Sequence, residues 1–150
     1  MKPINEMKLE FVSKSSNESF ARATVSAFIA QLDPTIAELA DIKTAISEAV
    51  TNCIVHAYKS SIGKIYITVQ IFENGKSIIK IRDKGCGINN IKQAMEPLFT
   101  TGGDERAGLG FAVMQSFMDK VRVSSKPNKG TSITLEKNII PRFIKNGQPS

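Results

Sequence analysis

Two β-branched runs, KIYITVQIF at 64–72 and SIIKIR at 77–82, are separated only by Glu73-Asn74-Gly75-Lys76. No other feature constrains the fold so strongly. Branched side chains favour a pleated, half-buried surface. Asn-Gly between such runs signals a hairpin and predicts a type I′ turn, which needs positive φ at both central residues. An antiparallel pair therefore stands mid-chain, and the flanking segments must cover one of its faces.

Those segments read as helices and further strands. Residues 7–12 (MKLEFV) alternate at first and predict an edge strand. Asn17 is expected to cap a helix running to about Leu32, with Phe20, Val25, Phe28, Ile29 and Leu32 on one face and Glu18, Arg22 and Ser26 opposite. Asp33-Pro34 stops that helix and suits the start of a second, with Asp as N-cap and Pro in the first helical position. The second helix is expected to bury Ile36, Leu39, Ile46, Val50 and Cys53 and to reach about Tyr58. Past the hairpin come a Gly-rich segment, a short helix near Ile91–Met95, the polar TTGGDERAG and a buried helix over 109–118. Lys120–Ser125 and Thr131–Glu136 pair across Pro127-Asn128-Lys129-Gly130. The expectation is an α+β two-layer sandwich over residues 1–140, with 141–150 as a mobile tail.

One domain of 150 residues buries its own core without disulfides, and Cys53 and Cys86 form no framework. No apolar run approaches the ~20 residues of a membrane span, and no charged-then-apolar leader opens the chain. The reading is cytoplasmic, with reduced thiols. The net charge of +6 raises nucleic-acid binding. Lys137, Arg142 and Lys145 carry half of that excess in a segment without acids, and elsewhere bases alternate with acids. There is no basic helix, zinc-finger spacing or aromatic RNA-binding run, so direct nucleic-acid binding is not expected.

Three stretches have compositions that packing alone does not explain. In SEAVTNCIVHAY, Glu48, Asn52 and His56 recur every fourth residue and so share one helix face. Asp83-Lys84-Gly85-Cys86-Gly87-Ile88 follows a strand directly. Leu98-Phe99-Thr100-Thr101-Gly102-Gly103 leads to Gly108-Leu109-Gly110 before a helix, whose free N–H groups and dipole favour a phosphate. No familiar phosphate fingerprint is complete. Asn90 and Val113 break GxGxxG at both glycine pairs, and Gln70 stands where a P-loop ending in Gly75-Lys76-Ser77 needs glycine. HRD, DFG and HExxH are absent.

Order supplies what single motifs lack. A helix with Glu and Asn, a strand ending in DxGxG, a Thr/Gly-rich loop and GxG at a helix together resemble the GHKL ATPases, over nearly the whole of residues 7–137. SEAVTNCIVHAY resembles their N box, DKGCGI the G1 box, and LFTTGGDERAGLG the lid and G2 box. The only histidine lies inside the N box, and the chain is too short for gyrase, Hsp90 or MutL. NESFARATVSAFIAQLDP and PLFTT are most similar to the anti-sigma factor serine kinases.

The resemblance implies a Bergerat ATP-binding fold with a mixed, mostly antiparallel sheet and helices on one face. It implies ATP/ADP and Mg²⁺ as ligands, and a homodimer that holds a sporulation sigma factor (sigma F) and phosphorylates a serine of an anti-anti-sigma factor. Asp83 then accepts from the adenine amine, a task that suits an acceptor-only carboxylate. Asn52 becomes the Mg²⁺ ligand and Glu48 the base toward the serine hydroxyl. Gly85, Gly87, Thr100, Thr101, Arg106, Gly108, Gly110 and Thr131 line the nucleotide. His56, ~12 Å along the helix from Glu48, is a rim or structural residue. Arg22, on the exposed face of the first helix, is the sigma-binding choice. A nucleotide-switched binding module without kinase activity is the alternative.

Overall fold

The protein, represented by a computed structural model, is described over residues 1–59, 61–95 and 105–140, with 105–109 described by their backbone alone. In chain order the elements are β1 (Asn5–Val12), α1 (Ser16–Ile29), α2 (Ile36–Asn52), β2 (Lys64–Ile71), β3 (Lys76–Asp83), α3 (Ile91–Ala94), α4 (Glu105–Phe117), β4 (Lys120–Ser125) and β5 (Thr131–Asn138). A 3₁₀ turn, Ala30–Leu32, ends α1, and a π-helical turn, Cys53–Ala57, ends α2.

The strands lie in the order β1-β2-β3-β5-β4, and all four pairings are antiparallel. The sheet allowed for as mixed is therefore antiparallel throughout among the described strands. Period-two alternation turns Ile65, Ile67, Val69, Ile71, Ile79, Ile81, Ile133 and Leu135 to one face, where they are buried. Val25, Ile29, Ile42, Ile46, Val50 and Met114 cover that face from α1, α2 and α4. The opposite face carries polar and charged side chains. One apolar layer between a sheet and its helices is the two-layer α+β sandwich.

The hairpin forms, but with another turn. Of its loop residues only Gly75 has positive φ (92°). Gly75 N–H donates to the Phe72 carbonyl at 3.0 Å, and Phe72 N–H to that of Lys76 at 2.9 Å. A three-residue loop with glycine at its left-handed end replaces the type I′ turn.

Helix boundaries shift for local reasons. Asn17 does not cap α1; its side-chain amide donates to the Val12 carbonyl at 2.9 Å and holds the β1–α1 turn. Asp33 takes the left-handed conformation (φ 55°) and closes the 3₁₀ turn. The N-cap of α2 is Thr35, whose hydroxyl accepts from Glu38 N–H at 3.1 Å, while the Glu38 carboxylate accepts from Thr35 N–H at 2.8 Å. This is a reciprocal capping box. It leaves Ile36 at the start of the helix, 90% exposed rather than buried. Phe20 is likewise exposed, edge-on to Phe11 at 6.3 Å between centroids, and Ser26 is buried. Helix α4 begins at Glu105, so Gly108 and Gly110 lie inside it and not before it. Lys137, from the acid-free segment, reaches back to Asp41 at 3.2 Å and to the Phe117 carbonyl at 2.7 Å, tying β5 to α2 and the end of α4. The tail, 141–150, lies outside the described residues.

Candidate active site

The end of β3, the π-helical turn and the β4–β5 hairpin surround a cavity of about 580 Å³. Asn52, His56, Asp83, Gly87 and Thr131 contribute its polar wall, and Ile88, Ala94, Phe111 and Ile133 its apolar one. With Lys59, Asn89, Asn90, Gln93 and Asn128 also on its lining, the cavity joins apolar and polar walls, which suits a flat heterocycle with a charged tail.

Asp83 is the last residue of β3 and is 4% exposed. Its Oδ1 accepts two backbone N–H groups, from Gly85 at 2.9 Å and from Thr131 at 3.2 Å. The buried Cys53 thiol stands beside this carboxylate. Burial pushes the Asp83 carboxyl above its ordinary range, against the pull of Gly85 N–H, the thiol and Thr131 N–H. The same burial, with Asp83 beside it, pushes the Cys53 thiol well up. Because Oδ1 is committed to the backbone, Oδ2 is the oxygen without a backbone partner.

Close approach fixes the loop after Asp83. A Cβ on Gly85 would strike the Ala57 carbonyl, and one on Gly87 (φ 74°) the Lys126 carbonyl. Cys86 N–H donates to the Ala57 carbonyl at 3.1 Å, so the π-helical turn and the loop are joined directly. On the other side, Ser125 Oγ accepts from Ile88 N–H and donates to the Gly130 carbonyl, both at 2.8 Å. A hydroxyl has one proton, which leaves Thr131 as the donor in its 2.8 Å contact with Ser125. Tyr58 braces the same loop: its hydroxyl accepts from Lys84 N–H at 2.7 Å and donates to the Lys64 carbonyl at 2.8 Å.

Asn52, the last residue of α2, is buried, and neither its amide oxygen nor its nitrogen has a partner among the described residues. An unpaired buried amide costs roughly 1–3 kcal/mol. Glu48 lies one turn earlier and half-buried. Helix α4 crosses both at Gly110, where a Cβ would lie 3.2 Å from Asn52 Oδ1 and 3.2 Å from Glu48 Oε2. A hard cation takes oxygen ligands, and the unpaired amide oxygen of Asn52 is one, so Asn52 fits Mg²⁺. Among the described residues no cluster of three or more His, Cys, Asp or Glu offers another site.

Asn52, Asp83, Gly87 and Thr131 thus meet at one cavity, and Gly85 and Gly110 are packed against its framework. Thr100 and Thr101 lie outside the described residues, as do the side chain of Arg106 and the surroundings of Gly108 beyond its place in α4. His56 lines the cavity beside Asn52, and its carbonyl accepts from the Cys86 thiol at 3.3 Å. Arg22 is elsewhere, and it is not a free surface cation. Its guanidinium bonds to Glu18 and to Ser47 of α2, both at 3.1 Å. Sequence reasoning missed Cys53, Tyr58, Phe111 and Ser125. Phe111, directly after GLG, was the one with a local signal.

An antiparallel sheet, helices on one face and a cleft between the Asn-bearing helix and the Asp-bearing strand define a histidine kinase-like ATPase domain. The family model of that description matches residues 12–137. An anti-sigma F factor of Caldanaerobacter subterraneus subsp. tengcongensis is 59% identical over 136 residues, covering 90% of this chain and 94% of the relative. One from Geobacillus thermodenitrificans is 53% identical over 136 residues, covering 90% and 93%. Among solved structures, the RsbU and RsbW domains of Rv1364c from Mycobacterium tuberculosis share the fold, at TM-score 0.67 and 20% identity, over 91% of this chain and 33% of that one. The chain belongs to the histidine kinase-like ATPase domain family and, within it, to the anti-sigma F factors.

Proposed function

We propose that the protein binds ATP and Mg²⁺, holds sigma F, and transfers the γ-phosphoryl group to a serine of an anti-anti-sigma factor. The names of the relatives support the anti-sigma role. One observation carries the kinase reading: Glu48 and the unpartnered Asn52 amide converge on Gly110 beside the cavity that Asp83 closes.

Asp83 accepts the adenine amine and disfavours guanine, which offers an acceptor at that position. Thr131 sits beside it, and Ile88, Phe111 and Ile133 take the faces of the base. Asn52 holds Mg²⁺, which, when bound, offsets charge on the phosphate oxygens. Thr100, Thr101, Arg106, Gly108 and Gly110 serve the triphosphate. The N–H groups of Gly108 and Gly110 do so only if the first turns of α4 reorganise, because helical N–H groups past the first four are already bonded. Glu48, ~6 Å along the axis from Asn52, orients the serine hydroxyl and takes its proton; in a loose transition state the orienting role dominates.

Two copies assemble through β1, an edge strand that ends in exposed Val12. Sigma contacts α1 around Arg22, in competition with Glu18 and Ser47 for the guanidinium. The place of action is the cytoplasm; among the described residues no helix is long and apolar enough to cross a membrane.

Labelled ATP, Mg²⁺ and a candidate anti-anti-sigma protein test this directly. Label is expected on a partner serine, and Glu48→Gln is expected to cut transfer about 10²–10⁴-fold with ATP binding retained. Transfer by that variant at the wild-type rate removes Glu48 from the mechanism. ATP binding without label on any partner serine establishes the nucleotide-switched module instead.

A further inference from the structure

The sheet face turned away from the helices carries an ordered charge pattern that nucleotide binding does not use. Lys8 on β1 pairs with Thr68 on β2, Thr68 with Lys80 on β3, Lys80 with Thr134 on β5, and Thr134 with Arg122 on β4. One row thus crosses all five strands as cation, hydroxyl, cation, hydroxyl, cation. The three cations are exposed and the two threonines half-buried.

The acids that border the row are already engaged. Glu10 pairs with Lys64 at 3.3 Å, Glu136 faces Lys120 at 3.9 Å, and Glu6 accepts the Gln70 amide at 2.7 Å. Among the described residues, Lys8, Lys80 and Arg122 have no carboxylate partner. A groove of about 400 Å³, bounded by Lys8, Tyr66, Thr68, Lys80 and Arg82 and by Glu10, the acid paired with Lys64, opens along the β1 half of the row.

Spacing selects the occupant. Strands lie ~4.8 Å apart, so cations on every second strand are ~9.6 Å apart and the row spans ~19 Å. Carboxylates seven residues apart on an α-helix share a face and are ~10.5 Å apart. In an extended chain, same-face side chains fall at multiples of ~6.7 Å, which miss this spacing. Single-stranded nucleic acid needs open aromatic faces. The Tyr66 ring instead carries Arg82 and Lys84, each 5.1 Å from its centroid. We infer that this face docks an acidic helix of a partner protein, laid across the strands with carboxylates at i, i+7 and i+14 against Lys8, Lys80 and Arg122. The docking face is opposite the nucleotide cavity, so both are open at once.

The test uses the full chain and a labelled alanine-rich helical peptide with three glutamates spaced seven residues apart, at low and at physiological salt. Binding is expected at low salt and weaker at high salt. Lys8→Glu/Lys80→Glu/Arg122→Glu should bind the peptide at least tenfold more weakly while retaining a cooperative melt and ATP binding. Lys8→Gln/Lys80→Gln/Arg122→Gln, a gentler change, serves if the reversed variant does not fold, and should also lose most binding. Undiminished binding by a folded variant overturns the proposal. So does equal affinity for a peptide with its three glutamates adjacent, or tighter binding of an oligonucleotide of the same charge.

Discussion

Thr131 on β5 stands directly opposite Asp83 on β3, and its backbone N–H donates to Asp83 Oδ1 at 3.2 Å. The carboxylate is thereby aimed by the sheet as well as by its own loop, where Gly85 N–H donates to the same oxygen. Gly130 makes this approach possible: its φ is 87°, and a Cβ there would strike the Asp83 carbonyl. A long-range strand pairing thus presets an acceptor in a dry wall before any ligand arrives.

Asp83→Asn should separate stability from recognition. Burial raises the Asp83 pKa in the folded protein, so the folded state holds its proton to higher pH than the unfolded chain does. That contribution is complete below the unfolded value, near 3.8, and is lost as pH rises through the folded value. Relative to the wild type, Asp83→Asn should gain stability at neutral pH and lose that advantage in acid. Thermal melts across pH read this directly. The new amide turns a donor toward the adenine amine, so ATP affinity should fall about 10–100-fold.

Asn52→Leu replaces an unpartnered buried amide by an apolar side chain of similar size. Stability should hold or rise by about 1 kcal/mol in denaturant titration. Nucleotide affinity in Mg²⁺ should drop to the level measured with a chelator present. A variant that keeps its Mg²⁺-dependent gain in affinity removes Asn52 from the metal site.

Gly110→Ala sets two effects against each other. Alanine favours a helix interior over glycine by ~1 kcal/mol. The new methyl meets Asn52 and Glu48 at 3.2 Å, tighter than ordinary contact. Folding stability should stay within about 1 kcal/mol of wild type, while phosphotransfer should fall tenfold or more. Paired melts and single-turnover assays distinguish this from a merely structural glycine.

Tyr58→Phe removes the hydroxyl that joins Lys84 N–H to the Lys64 carbonyl. A loss of about 1–2 kcal/mol is expected in denaturant titration. Amide exchange should quicken at Lys84 and in the following loop before it changes in the sheet centre.

What the sequence disclosed follows from the range of the forces involved. The β2–β3 hairpin was legible because branched runs and Asn-Gly act locally, yet its turn type was not, since a three-residue loop uses the same glycine differently. The α2 start was legible in Thr35-x-x-Glu38, a capping box passed over for the more conspicuous Asp33-Pro34. Family order brought Glu48, Asn52, Asp83 and Gly110 to notice together. Nothing local reveals that Cys53 reaches Asp83, that Ser125 pins Ile88, or that Arg22 is engaged by Ser47. Each of these depends on elements brought together by the fold. Gly110 misled for the same reason: glycine marks close approach as readily as a helix start.

The π-helical turn at Cys53–Ala57 also sets a tolerance for insertions and deletions. Its wide winding lets Ala57 meet Cys86 and Tyr58 reach both Lys64 and Lys84. Removing one residue there would swing everything beyond it by about 100° around the helix axis. The tip of the β4–β5 hairpin is geared to the same loop from the other side, by Lys126 packed against Gly87 and by Asn128 N–H on the Cys86 carbonyl. Length drift among related chains should therefore leave the stretch between Asn52 and Tyr58 unchanged in count.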